Sequence, residues 1–90
     1  MLTFAKHVKI RQEKHGAVVF DTLQEKVFVT NETGAQILRL LEKGLSPREM
    51  VAALAEQYAR GRDSIQQEVE EFLQQLKASE LVEKEEESRT

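Results

Sequence analysis

The apolar residues change period at Thr30, and that change constrains the fold more than any other feature of the sequence. Before it, Val8 and Ile10 alternate with Lys9 and Arg11, the period-two pattern of a half-buried strand. Ala17-Val18-Val19-Phe20 is apolar on both faces, as a central strand requires, and Lys26-Val27-Phe28-Val29-Thr30 reads as a third strand. The polar segments 13–16 and 21–25 are short enough to be turns, with Gly16 expected at a positive φ. Short turns imply an antiparallel meander.

After Thr30 the period becomes helical. Ile37, Leu38 and Leu41 form a first stripe, capped by Thr30 or Asn31 and stopped at Gly44. Ser46-Pro47-Arg48-Glu49 is a capping box with proline at the first helical position, and Met50, Val51, Leu54 and Tyr58 follow it. Gly61 is expected to end that helix. A third helix is expected from Asp63 or Ser64, with Gln66 or Gln67 closing a second box, and Ile65, Val69, Phe72, Leu73 and Leu76 recur along it. Leu81 and Val82 are expected to pack back on the core. The fold class is therefore α+β: a winged helix-turn-helix-like arrangement of three antiparallel strands followed by three helices. It forms a single domain over residues 1–83, with an acidic disordered tail over 84–90.

Several chemistries drop out. The chain has no cysteine, so disulfides, zinc–thiolate sites and thiol catalysis are excluded. His7 and His15 lack metal-ligand spacing, and we expect surface or turn positions for them and no metal. Asn31-Glu32-Thr33-Gly34 lacks the lysine and spacing of a phosphate loop and reads as a helix cap. No nucleophile or acid–base pair stands out, so neither catalysis nor a cofactor is expected. No run approaches the ~20 apolar residues of a membrane span and no basic-then-apolar leader opens the chain, which suggests a cytoplasmic domain.

Charge narrows the partners. The net charge is −3, yet the first twenty residues carry Lys6, Lys9, Arg11 and Lys14 against Glu13 alone. Overall acidity disfavours nucleic acid. The third helix has one basic residue, Lys77, against Glu68, Glu70, Glu71 and Glu80, a poor reader of a major groove. A DNA-binding regulator remains the runner-up reading, and a small dimerisation module the third. The most informative element is the Lys26–Thr30 strand: it must be a sheet edge, yet it is apolar on both faces and blunted only by Lys26. Such an edge fits strand addition by a peptide, or pairing with its own copy at high concentration.

The ordered series Gly16-Ala17-Val18-Val19-Phe20-Asp21, Lys26 to Ala35, Ile37-Leu38, Leu40-Leu41, Gly44, Ser46-Pro47, Leu54, Tyr58, Val69, Phe72-Leu73, Leu76 and Leu81-Val82 resembles the PqqD family. The resemblance covers about residues 6–83. It implies a recognition element for ribosomally made, modified peptides: a domain that binds a precursor's leader and presents it to a modifying enzyme, commonly a radical S-adenosylmethionine protein. Pyrroloquinoline quinone synthesis or another modified peptide is the implied pathway. The leader would lie as an added strand on Lys26, Val27, Phe28, Val29 and Thr30, against the exposed side of helical residues 69–76. Val27, Val29, Val69 and Leu73 are then the expected walls; Leu76 is counted at the site although it lies, with Ile65 and Phe72, closer to the expected core stripe, and Phe28 falls on the opposite face by alternation. Lys9 and Arg11 would steer an acidic leader. The family's usual glycine before the closing apolar pair is replaced by Ser79-Glu80, so the third helix is expected to run on. In dilute solution we expect mainly monomer.

Overall fold

The computed structural model describes residues 2–84. Along the chain run β1 (Leu2–Phe4), β2 (Val8–Glu13), β3 (Gly16–Asp21), β4 (Lys26–Thr30), α1 (Glu32–Glu42), α2 (Pro47–Tyr58), α3 (Arg62–Ala78) and β5 (Val82–Lys84). The antiparallel meander is present, in the order β2-β3-β4, with β4 at an edge. Ile10, Val19 and Phe28 lie in one cross-strand row, and Arg11, Val18 and Val29 in the next. Successive side chains point to opposite faces, so the first row turns towards the helices and the second outward. Ala17 and Val19 of the central strand are fully covered, and the core continues through Ile37, Leu38, Met50, Leu54, Ile65, Val69 and Leu76.

The helix boundaries follow local chemistry. Asn31 caps α1, its Oδ1 accepting from the Gly34 N–H at 2.9 Å. At the other end Gly44 adopts φ 87°, and the Gly44 and Leu45 amides donate to the Leu41 and Leu40 carbonyls. Ser46 and Glu49 form the reciprocal capping box of α2. There the punctuation departs from expectation. α2 ends with Ala59 in the left-handed region at φ 53°, and Gly61, at φ −62°, is instead the N-cap of α3. α3 begins at Arg62, one residue before the expected caps, so Ser64 cannot cap it and accepts from Arg60 instead.

The far end of α3 also differs. The helix stops at Ala78, and Glu80 takes φ 60°, the conformation that a glycine adopts without strain. The Leu81 amide donates to the Leu76 carbonyl and the Glu80 amide to that of Lys77, both at 3.0 Å. This is a Schellman closure, which leaves Leu81 and Val82 packed on the core. The backbone therefore makes the turn without the glycine.

Two further features lie outside the sequence pattern. β1 pairs with β5, Leu2 opposite Lys84 and Phe4 opposite Val82, and this ladder takes in Lys84 from the expected tail; residues 85–90 lie outside the described residues. Gly16, expected at a positive φ, sits in extended strand at the foot of a two-residue turn. Its constraint is space: a Cβ there would lie 2.1 Å from the Thr30 carbonyl oxygen. The lack of a side chain lets β3 and β4 close against the start of α1.

Candidate functional site

β4 pairs with β3 on one side, and no strand covers its other side among the described residues. In an antiparallel edge, alternate residues turn their N–H and C=O groups outward, so β4 offers a row of unpaired hydrogen-bonding groups. Val27 and Val29 stand on the outer face of the sheet, 60% and 71% exposed. Phe28, between them, turns inward to α3, where its ring meets Phe72 at a centroid distance of 6.0 Å and an interplanar angle of 59°.

α3 runs antiparallel to β4. Ser79 and Leu81 adjoin the Lys26 end of the strand, whereas Glu68 and Phe72 adjoin the Phe28–Thr30 half. Between helix and strand lies an open cleft of about 300 Å³, bordered by Phe28, Thr30, Glu68, Glu71, Phe72 and Gln75. Gly34 forms part of its floor, where a Cβ would come within 1.7 Å of Thr30 Oγ1 and 2.8 Å of the Phe72 ring. The glycine at the start of α1 thus makes room for two cleft side chains.

The structure separates the residues expected to line this cleft. Of the β4 positions, Phe28, Val29 and Thr30 border it, Val29 standing with Val27 on the outer face beside the open edge, and Lys26 lies at the far end. Val69 and Leu76 are wholly buried and Leu73 is 5% exposed, so these three belong to the core and not to the wall of the cleft beside β4. The reason is helical phase. Ile65, Val69, Leu73 and Leu76 form the stripe that packs inward, and the stripe that looks along β4 is Glu68, Phe72 and Gln75. Phe72, expected in the core, is the half-buried aromatic of the cleft. The four-residue spacing of Glu68 and Phe72, continued by Gln75, was the signal available in the sequence.

The electrostatics also depart from expectation. Lys9 and Arg11 lie on β2, two strand spacings or ~10 Å from the β4 edge. Arg11 is occupied there, ion-paired with Glu13 and set 5.5 Å over the Phe20 ring. The charges at the cleft are instead carboxylates. Glu68 Oε1 is met by Arg60 Nη1 at 2.9 Å, and Glu71 accepts only from the neutral Gln67 amide among the described residues. Steering of an acidic ligand by Lys9 and Arg11 therefore has no support from their position.

Asp21 shapes the turn that precedes β4. Its carboxylate, almost fully buried, accepts from the Leu23 and Gln24 amides and from the Gln24 side chain. The Gln24 amide above all holds its pKa below the ordinary 3.8; burial opposes this, and the Leu23 amide and His7 assist. His7 Nε2 lies 3.6 Å from this carboxylate, and His15 Nδ1 3.7 Å from Glu32. Among the described residues no three acidic, histidine or cysteine side chains gather as metal ligands, and no helix is long and apolar enough to cross a membrane.

The chain resembles known proteins in both sequence and fold. The family model for coenzyme PQQ synthesis protein D (PqqD) matches residues 16–82, from the first residue of β3 into β5. The chain belongs to the PqqD family. The match takes in β4 and α3, the two walls of the cleft in this PqqD-family chain. Among solved structures, TbiB1 in complex with the TbiA(beta) leader peptide is similar, with a TM-score of 0.85 and 25% identity over 94% of this chain and 99% of that one. Lasso peptide synthetase B1 complexed with the leader peptide has the same fold, with a TM-score of 0.84 and 20% identity over 92% of this chain and 98% of that one. No curated protein matches.

Proposed function

We propose that this PqqD-family chain is a non-catalytic peptide chaperone. It takes up the leader of a ribosomally made precursor as an added strand on β4 and presents the precursor to a modifying enzyme. The observation that carries the reading is an open sheet edge running beside an aromatic cleft, at Lys26–Thr30 and Phe28/Phe72. Backbone bonds along such an edge provide affinity, and side-chain pockets beside it provide specificity. Alternation would send every second leader residue into the cleft and the others outward alongside Val27 and Val29.

The leader-bound state of both similar structures supports the reading, as does the family's role in coenzyme PQQ synthesis. The enzyme partner we propose is of the radical S-adenosylmethionine type, in pyrroloquinoline quinone synthesis or that of another modified peptide, and the setting is cytoplasmic. The chain itself would carry no cofactor. It would be mainly monomeric, with edge pairing between copies as the competing state at high concentration.

Amide spectra of the full chain, titrated with the synthetic leader of any short precursor found encoded near its gene, test this directly. The expected result is a perturbed row at residues 26–30 together with Phe72 and Gln75. Perturbations confined to α1 and α2, or steeply salt-dependent binding to duplex DNA, would overturn it.

A further inference from the structure

The cleft is not charge-neutral along its length. Towards its Thr30 end the α3 wall presents Glu68 and, one turn on and next to Phe72, Glu71, and the opposite end of β4 carries Lys26. Arg60 offsets Glu68 at 2.9 Å, but Glu71 meets no cation among the described residues, and neither does Lys26. Between the two ends stands the half-buried pair Phe28 and Phe72. A strand laid on β4 would thus pass a carboxylate pair, an aromatic floor and an ammonium group in turn. Each inward-facing position of that strand would meet a different chemistry, two residues apart.

From this geometry we infer that the cleft selects a peptide whose inward-facing residues are a Lys or Arg at the Thr30 end and an apolar residue over Phe28 and Phe72. The inference rests on the strand-addition reading and adds the chemistry of the ligand to it. It also orients the ligand. Every strand pair among the described residues is antiparallel, and antiparallel pairing is slightly the more stable. An antiparallel addition places the peptide's N-terminal side at Thr30, so the cation precedes the apolar anchor by two or four residues. An acidic residue following the anchor would reach the Lys26 end. This cation requirement is opposite in sign to what the basic start of the chain suggests.

Selection of random 12-residue peptides on the immobilised full chain tests the inference, run in parallel on Glu71→Lys and Glu68→Gln variants. Glu71 is exposed and Glu68 half-exposed, so both variants should keep the wild-type amide spectrum. The expected consensus on the wild type is a Lys or Arg two or four residues before an aliphatic or aromatic residue. On Glu71→Lys the cation should disappear from the consensus and an acid replace it. An enriched peptide should bind Glu68→Gln ~2–5-fold more weakly, an effect that shrinks in high salt, as expected for an exposed pair. Enriched peptides that perturb residues 26–30 but carry no charge preference, or one unmoved by Glu71→Lys, would overturn this inference and leave strand addition standing. Failure to enrich any peptide, or enrichment of peptides that perturb another surface, would overturn both.

Discussion

Phe72 and Leu73 are neighbours in sequence with opposite fates, and exchanging each for glutamate separates fold from binding. Leu73 is 5% exposed and sits in the inward stripe of α3 with Ile65, Val69 and Leu76. Leu73→Glu forfeits about 1.5–3 kcal/mol of apolar burial. It also sets a carboxylate among aliphatic side chains, at a cost of several kcal/mol more. A domain of this length ordinarily holds about 5–13 kcal/mol of stability, so the loss consumes most of it. Phe72 is half-buried at the mouth of the cleft, where a glutamate can reach water. Phe72→Glu should then cost only about 1–1.5 kcal/mol and lower Tm by about 4–12 °C. Its effect on binding should be larger, at least ~30-fold, because it removes the aromatic floor and adds charge beside Glu68 and Glu71. Thermal unfolding by circular dichroism and leader titration on both variants give the answer. A Leu73→Glu variant that melts like the wild type and loses binding, beside a Phe72→Glu variant that fails to fold, would refute this assignment of the two faces.

Three other outcomes follow from local geometry. Glu80→Gly should raise stability by roughly 0.5–1 kcal/mol, seen as a higher Tm, because it relieves the left-handed strain at φ 60° at some entropic cost. Gly34→Ala must displace Thr30 and Phe72, so it should cost about 1–3 kcal/mol and weaken leader binding beyond what its Tm change explains. The depressed pKa of Asp21 supplies stability that is present above 3.8 and lost as the pH falls through its folded value. Denaturant titrations from pH 5 to pH 2 should therefore show a steeper loss in the wild type than in Asp21→Asn.

What could be read from the sequence was whatever depends on neighbours along the chain. The period-two strands, the Ser46/Glu49 box, the Asn31 cap and the Gly44 stop are all local signals, and each stands where the residues put it. The third helix was legible as a helix but not in its phase. Val69, Phe72, Leu73 and Leu76 are all apolar, so their pattern spans more than one face and does not say which side meets β4. Their polar companions carried that information: Glu68 and Gln75 flank Phe72 on its face, and only that face can look along an open edge. The left-handed Ala59 and Glu80 were hidden for the converse reason. At these positions tertiary packing imposes a backbone conformation that the residue type does not advertise. The β1–β5 ladder was invisible because three-residue strands carry almost no periodicity and their partners are remote.

That ladder has a consequence for the order in which the molecule assembles. Joining Leu2 to Lys84 closes nearly the whole described chain into a ring, and a closure of that length costs about 4 kcal/mol of chain entropy if made first. Made last, after the meander and helices have drawn Ala5 and Leu81 to within one hydrogen bond of 3.0 Å, it costs almost nothing extra. The ladder should therefore be a late event in folding and the earliest to exchange its amides in the native state. Its opening would leave β3 and β4 paired while loosening the Leu81 segment beside the Lys26 end of the edge strand, so one end of the binding edge can relax without losing its ladder.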